Sequence, residues 1–122
     1  MTAYGFKFSP YSQVSGNGGA LTNLNAASLV ANETTVGTNY TAGSSDSTIL
    51  VRATGRVITL PTAIGIAGRQ YTIKLIVPGS CTVTNATGLQ KIDGALNYSL
   101  SQQYKSVTVQ SDGAQWWIIS AN

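Results

Sequence analysis

The feature that most constrains this chain is a two-residue alternation of apolar and polar side chains, repeated in short runs that turn residues cut off. In Gln70–Val77, Tyr71, Ile73 and Leu75 fall on one side and Thr72, Lys74 and Ile76 on the other, and Pro78-Gly79 ends the run. A period of two places alternate residues on opposite faces of a strand, so each run reads as β. The same reading applies to Thr48–Val51, to Arg56–Leu60 (stopped by Pro61), and to Cys81–Thr84, Gln90–Ile92, Asn97–Leu100, Lys105–Gln110 and Gln115–Ser120. Asp93-Gly94 and Asp112-Gly113 are turn dipeptides, and the second, between two β-rich runs, predicts a hairpin whose turn residues both have φ > 0. Short strands at this spacing predict an all-β fold, a small antiparallel sandwich or jelly-roll-like domain over residues 47–122.

Residues 1–46 have a different texture. They are rich in Gly, Ser, Asn and Thr, with thinly spread apolar residues and Ser15-Gly16-Asn17-Gly18-Gly19 as a flexible stretch. Thr35–Thr41 reads as one short strand. Near the start, Tyr4, Phe6 and Phe8 alternate around Gly5 and Lys7, with Tyr11 beyond, which gives an aromatic ribbon along an extended segment. Two arrangements fit. Residues 1–46 form an extended N-terminal arm and linker that lies on a neighbouring subunit, or they supply the missing strands of the same sandwich. A core built from fewer than ~80 residues supplies only a few kcal/mol. Self-association, with Tyr4, Phe6, Phe8 and Tyr11 as partner-docking residues, is therefore the expectation.

Composition excludes several chemistries. Histidine is absent and Cys81 is the single cysteine, so a Ser-His-Asp or Cys-His nucleophile has no base, and a His/Cys zinc site within one subunit has no ligands. The carboxylates are Glu33, Asp46, Asp93 and Asp112. A glycosidase needs two of them facing each other across a sugar, but Asp93 and Asp112 each precede glycine, where turn geometry accounts for them. Asp46 lies in no calcium-loop signature. No enzyme activity, cofactor or metal is expected. The net charge of +3 rests on scattered Lys and Arg, without the clustered basic face of a nucleic-acid binder. No apolar stretch approaches the ~20 residues of a membrane helix, and Met1–Pro10 lacks the apolar core of a secretion signal.

One long stretch carries a resemblance. It begins Arg56-Val-Ile-Thr-Leu-Pro61-Thr-Ala-Ile-Gly-Ile-Ala-Gly68-Arg69-Gln-Tyr71-Thr-Ile-Lys74 and continues through Cys81-Thr-Val-Thr, Ile92-Asp93-Gly94, Tyr98-Ser-Leu and Tyr104-Lys-Ser-Val-Thr-Val. It closes on Ser111-Asp112-Gly113-Ala-Gln-Trp116-Trp117-Ile118. Over about residues 47–122 this resembles small β-rich bacteriophage virion proteins: capsid decoration and head-fibre proteins, and tail-fibre tip modules. The resemblance implies a homotrimeric, non-enzymatic virion component. With 122 residues and no shaft, a decoration (cement) protein on the capsid exterior is expected, with the major capsid protein as partner and residues 4–11 touching the shell. The alternative is a tail component that recognises a host surface glycan. Trp116 and Trp117, adjacent on a strand, face opposite sides. They are inter-subunit or glycan-contact aromatics, or both lie buried between layers. Cys81 reads as a buried thiol, and Arg69 after Gly68 as a structural hydrogen-bond donor.

Overall fold

Every alternating run from Thr48 onward, except Gln90–Ile92, becomes a strand in the computed structural model, which describes residues 31–122. The strands are β1 (Glu33–Val36), β2 (Tyr40–Thr41), β3 (Thr48–Val51), β4 (Arg56–Leu60), β5 (Gln70–Leu75), β6 (Cys81–Asn85), β7 (Asn97–Leu100), β8 (Ser106–Ser111) and β9 (Trp116–Ala121). Among the described residues there is no helix. Within these described residues a five-stranded sheet runs in the order β9-β8-β5-β3-β1 and a four-stranded sheet in the order β2-β4-β6-β7.

From β1 to β6 the chain changes sheet at every strand, and strands of the same sheet stack parallel: Glu33 beside Thr48 beside Thr72, and Arg56 beside Cys81. The first six strands therefore wind as superposed turns of a flattened coil. The last three close it, β7 antiparallel to β6, β8 antiparallel to β5, and β9 antiparallel to β8. The expected antiparallel sandwich or jelly-roll-like arrangement is corrected here: the fold is all-β with two sheets, but both sheets are mixed. Parallel neighbours need a long crossover, commonly a helix. In this chain the crossover from Val36 to Thr48 runs through β2, a strand of the opposite sheet. Parallel pairing is thus built with short loops and leaves no helical signature.

The inward positions form one core. Ile49, Val51, Ile73 and Leu75 of one sheet and Ile58, Leu60 and Val83 of the other are all 0% exposed. Burial of each such side chain contributes about 1.5–3 kcal/mol. Threonine recurs at the outward positions: Thr48, Thr72 and Thr108 sit side by side on the five-stranded sheet, where Glu33 and Lys74 are also outward, and Thr41, Thr59 and Thr84 on the four-stranded sheet. A β-branched side chain with a hydroxyl suits the pleat and keeps the face wettable without charge. The low content of charged residues, 9%, follows from this choice.

The strands β1 and β2 precede residue 47 and belong to these same two sheets, and the compact unit begins at Ala31. The boundary drawn after residue 46 does not coincide with an edge of the fold. Thr35–Thr41 holds parts of two strands in different sheets, not one. Tyr4, Phe6, Phe8 and Tyr11 lie outside the described residues. Gln90–Ile92 makes no ladder, only two isolated bridges, Ile92 to Ala95 and Ile92 to Trp116, and Gln90 is drawn into the loops. Its Oε1 accepts from the Ala63 N–H at 2.8 Å and its Nε2 donates to Thr62 Oγ1 at 2.8 Å.

Candidate functional site

The sequence-selected residues Asp93, Asp112, Trp116 and Trp117 converge on β9. The strand starts after a loop, Asp112–Gln115, that joins it to β8 in a register pairing Trp116 with Ser111. The hairpin expected from Asp112-Gly113 exists, but it is not a two-residue turn. Gly113 has φ +97° while Asp112 does not enter the left-handed region. The Asp112 carboxylate shapes the loop: Oδ1 accepts from the N–H groups of Ala114 and Gln115, each at 2.8 Å. The tight turn with two positive φ values is at Asp93 (50°) and Gly94 (83°), closed by reciprocal hydrogen bonds between Ile92 and Ala95. That is the geometry Asp-Gly favours.

Asp93 also acts at a distance. Its N–H donates to the Trp116 carbonyl at 3.1 Å, and its Oδ1 accepts the Ile118 N–H at 2.9 Å. The segment Lys91–Asp93 therefore covers the first half of the outer edge of β9. Just beyond, the pairing of β9 with β8 slips between Ile118 and Ser120. A covered and bulged edge is a poor template for further strand addition.

The two tryptophans separate. Trp116 is fully buried, its indole N–H donating to the Pro61 carbonyl at 3.2 Å and its ring tilted against Tyr71 at 5.7 Å. It is a core residue, so the reading of Trp116 as an exposed contact aromatic is corrected: the inward position after the loop takes the largest side chain into the core. Trp117, on the opposite face, is 48% exposed. Its indole N–H donates to Asp112 Oδ2 at 2.7 Å. The hydrogen bonds from the Gln115 N–H, the Trp117 indole and the Ala114 N–H hold the Asp112 carboxyl below the usual carboxylate range. One carboxylate thus fixes both the loop and the plane of an exposed indole.

Behind this corner lies an open cleft of about 200 Å³ lined by residues including Ala42, Pro61, Ile66, Arg69 and Tyr71. Joined to this lining through Gly43 and Arg69 is a polar cluster that was not legible in the sequence. Asp46 is 3% exposed, with Oδ1 accepting from the Thr34 hydroxyl at 2.6 Å and Oδ2 from the Tyr40 hydroxyl at 2.7 Å and the Gly43 N–H at 2.8 Å. Burial pushes the Asp46 pKa up, but these hydrogen bonds and the nearby Arg69 outweigh it and the pKa is lowered. The partnership with Asp46 raises the Tyr40 pKa. Arg69 lies over the Tyr71 ring at 4.5 Å and donates to the carbonyls of Ser44 and Asp46, the structural role expected of it. The sequence separations, such as twelve residues between Thr34 and Asp46, follow no motif. They reflect which turn of the coil lies above which.

No protein-family model, curated protein or solved structure matches this chain.

Proposed function

We propose that this chain is a non-catalytic structural subunit of a bacteriophage particle: a homotrimeric decoration protein on the outside of the head, bound to the major capsid protein. The observation that carries this reading is the use made of the carboxylates. Asp46 and Asp112 accept hydrogen bonds from backbone N–H groups of their own loops, and Asp93 accepts one from the Ile118 N–H of β9. Groups that a hydrolase would aim at a substrate here fix the scaffold. The resemblance of about residues 47–122 to phage virion proteins supplies the biological setting, and the threonine-rich, sparsely charged faces suit a particle exterior. A second reading, a tail-tip module that recognises a host glycan, is favoured by one feature, the exposed and immobilised Trp117.

Two measurements test the proposal. Light scattering of the purified protein should give three times the 12.7 kDa chain mass, and a monomer at micromolar concentration counts against the trimer. Image reconstruction of labelled particles should place the protein across the capsid lattice. Density confined to the tail transfers the assignment to the second reading.

A further inference from the structure

We infer that the outer face of the five-stranded sheet, beside Trp117, binds an uncharged saccharide. Register sets the row. Trp117 pairs with Gln110, and Gln110 with Gln70, so three side chains stand abreast on the outer face. Two strand spacings, about 9–10 Å, separate the ends of the row. That is room for a short oligosaccharide lying across the strands.

The chemistry of the row selects the ligand. The indole N–H of Trp117 is already satisfied by Asp112, so what the ring offers outward is a flat apolar surface held in one orientation. Preorganisation removes part of the ordering cost of binding. The neighbouring groups are carboxamides, which both donate and accept. Gln110 Nε2 donates to the Gly68 carbonyl at 3.2 Å, which orients the amide and leaves its Oε1 available. Gln70 is exposed, and in the next row the hydroxyls of Thr72 and Thr108 lie 2.9 Å apart. A ligand complementary to this surface needs an apolar face edged with hydroxyls that donate and accept. A pyranose ring has both, and stacking on an aromatic face with amide hydrogen bonds at the rim is how such a ring is held. Charge argues for a neutral sugar. No Lys, Arg, Asp or Glu belongs to the row, and the nearest carboxylate, Asp112, is engaged by its loop and the indole. Arg69, next to Gln70 in sequence, turns its guanidinium to the carbonyls of Ser44 and Asp46.

For its ligand class this inference shares the premise of the second reading above, but the site does not depend on where the protein sits in a particle. The experiment uses the full chain without virions: an array of neutral and sialylated oligosaccharides, followed by calorimetric titration of the best binder. The expected result is binding to neutral members, weakened at least tenfold by W117A and by Q110A and largely retained in W117F. All variants should keep the parental circular dichroism spectrum. Asp112→Asn, which retains an acceptor but alters the loop, should give an intermediate loss. No binding to any saccharide at millimolar concentration overturns the inference, as does binding only to sialylated members. It is also overturned if Trp117 in the assembled protein resists acrylamide quenching, since the indole then lies between copies of the chain. Because no particle is involved, failure here leaves the virion assignment standing, and absence from the particle leaves the binding result standing.

Discussion

Single polar side chains tie this fold together, and each gives an outcome that can be measured. Asp46 accepts three hydrogen bonds in a nearly closed site, so Asp46→Asn places a donating amide against donors. A loss of about 1–3 kcal/mol is expected, read as a fall in Tm of roughly 4–8 °C for each kcal/mol. Asp112 gives a pH signature. Its folded pKa is depressed, so its contribution is fully present above the unfolded value near ~3.9 and is lost as pH falls through the lower folded value. Trp117 fluorescence, isolated by subtracting W117F, should titrate with a midpoint below ~3.9, and the transition should vanish in Asp112→Ala. Burial pushes the Cys81 thiol up to about 11. At pH 8 its thiolate fraction is on the order of one in a thousand. An aromatic disulfide reagent should therefore label Cys81 in denaturant and leave the native protein unmodified over minutes.

At the scale of elements, the loops between strands hold one turn of the coil against the next. The link between β5 and β6 shows it: the Ser80 N–H donates to Thr54 Oγ1 at 3.0 Å, and the Gly55 N–H to the Ser80 carbonyl at 2.8 Å. Gly79 in that link has φ +122°, and a Cβ there would collide with the Thr54 side chain. Gly79→Ala should lower the unfolding free energy by at least about 2 kcal/mol in urea titrations, and adding Thr54→Gly should restore only the steric part. The strands themselves were legible. Thr48–Val51, Arg56–Leu60 and Asn97–Leu100 have the bounds that alternation and turn residues predict. Their pairing was not, because alternation is the same for a strand with parallel or antiparallel neighbours. Loop chemistry was half legible. Asp93-Gly94 and Asp112-Gly113 announce turns, but nothing local shows that Gln115 and the Asp112 carboxylate widen the second into a four-residue loop. Asn85 was equally silent: its buried amide donates to the Gln90 carbonyl at 2.6 Å and its Oδ1 accepts the Gly88 N–H at 2.8 Å, contacts no strand pattern encodes. For the candidate site, the opposite faces of Trp116 and Trp117 followed from their adjacency, whereas the row Trp117, Gln110 and Gln70 needed the register.

For the whole molecule, residues 31–122 form one contact-rich unit with one apolar core drawn from both sheets. Removing residues 1–30 should leave a cooperative thermal transition and a β-type circular dichroism spectrum, and scattering of both chains should report whether the proposed trimer needs the removed segment. Loss of the cooperative transition would mean that the core is incomplete without it. The coil also has a direction. Each turn contributes one strand to each sheet and raises the stack by one strand spacing, about 4.8 Å. The antiparallel strands β7–β9, with Asp93 closing the edge of β9, end the stack on one side. On the other side β1 repeats the parallel register of β3 on β5 without alteration. Height is therefore a countable property of the gene. Duplicating one strand pair with its two loops adds one fixed step to the stack of residues 31–122 and leaves the closing strands β7–β9 and the Trp117 corner as they are. A lineage could adjust the reach of that surface in whole increments while its chemistry stayed constant.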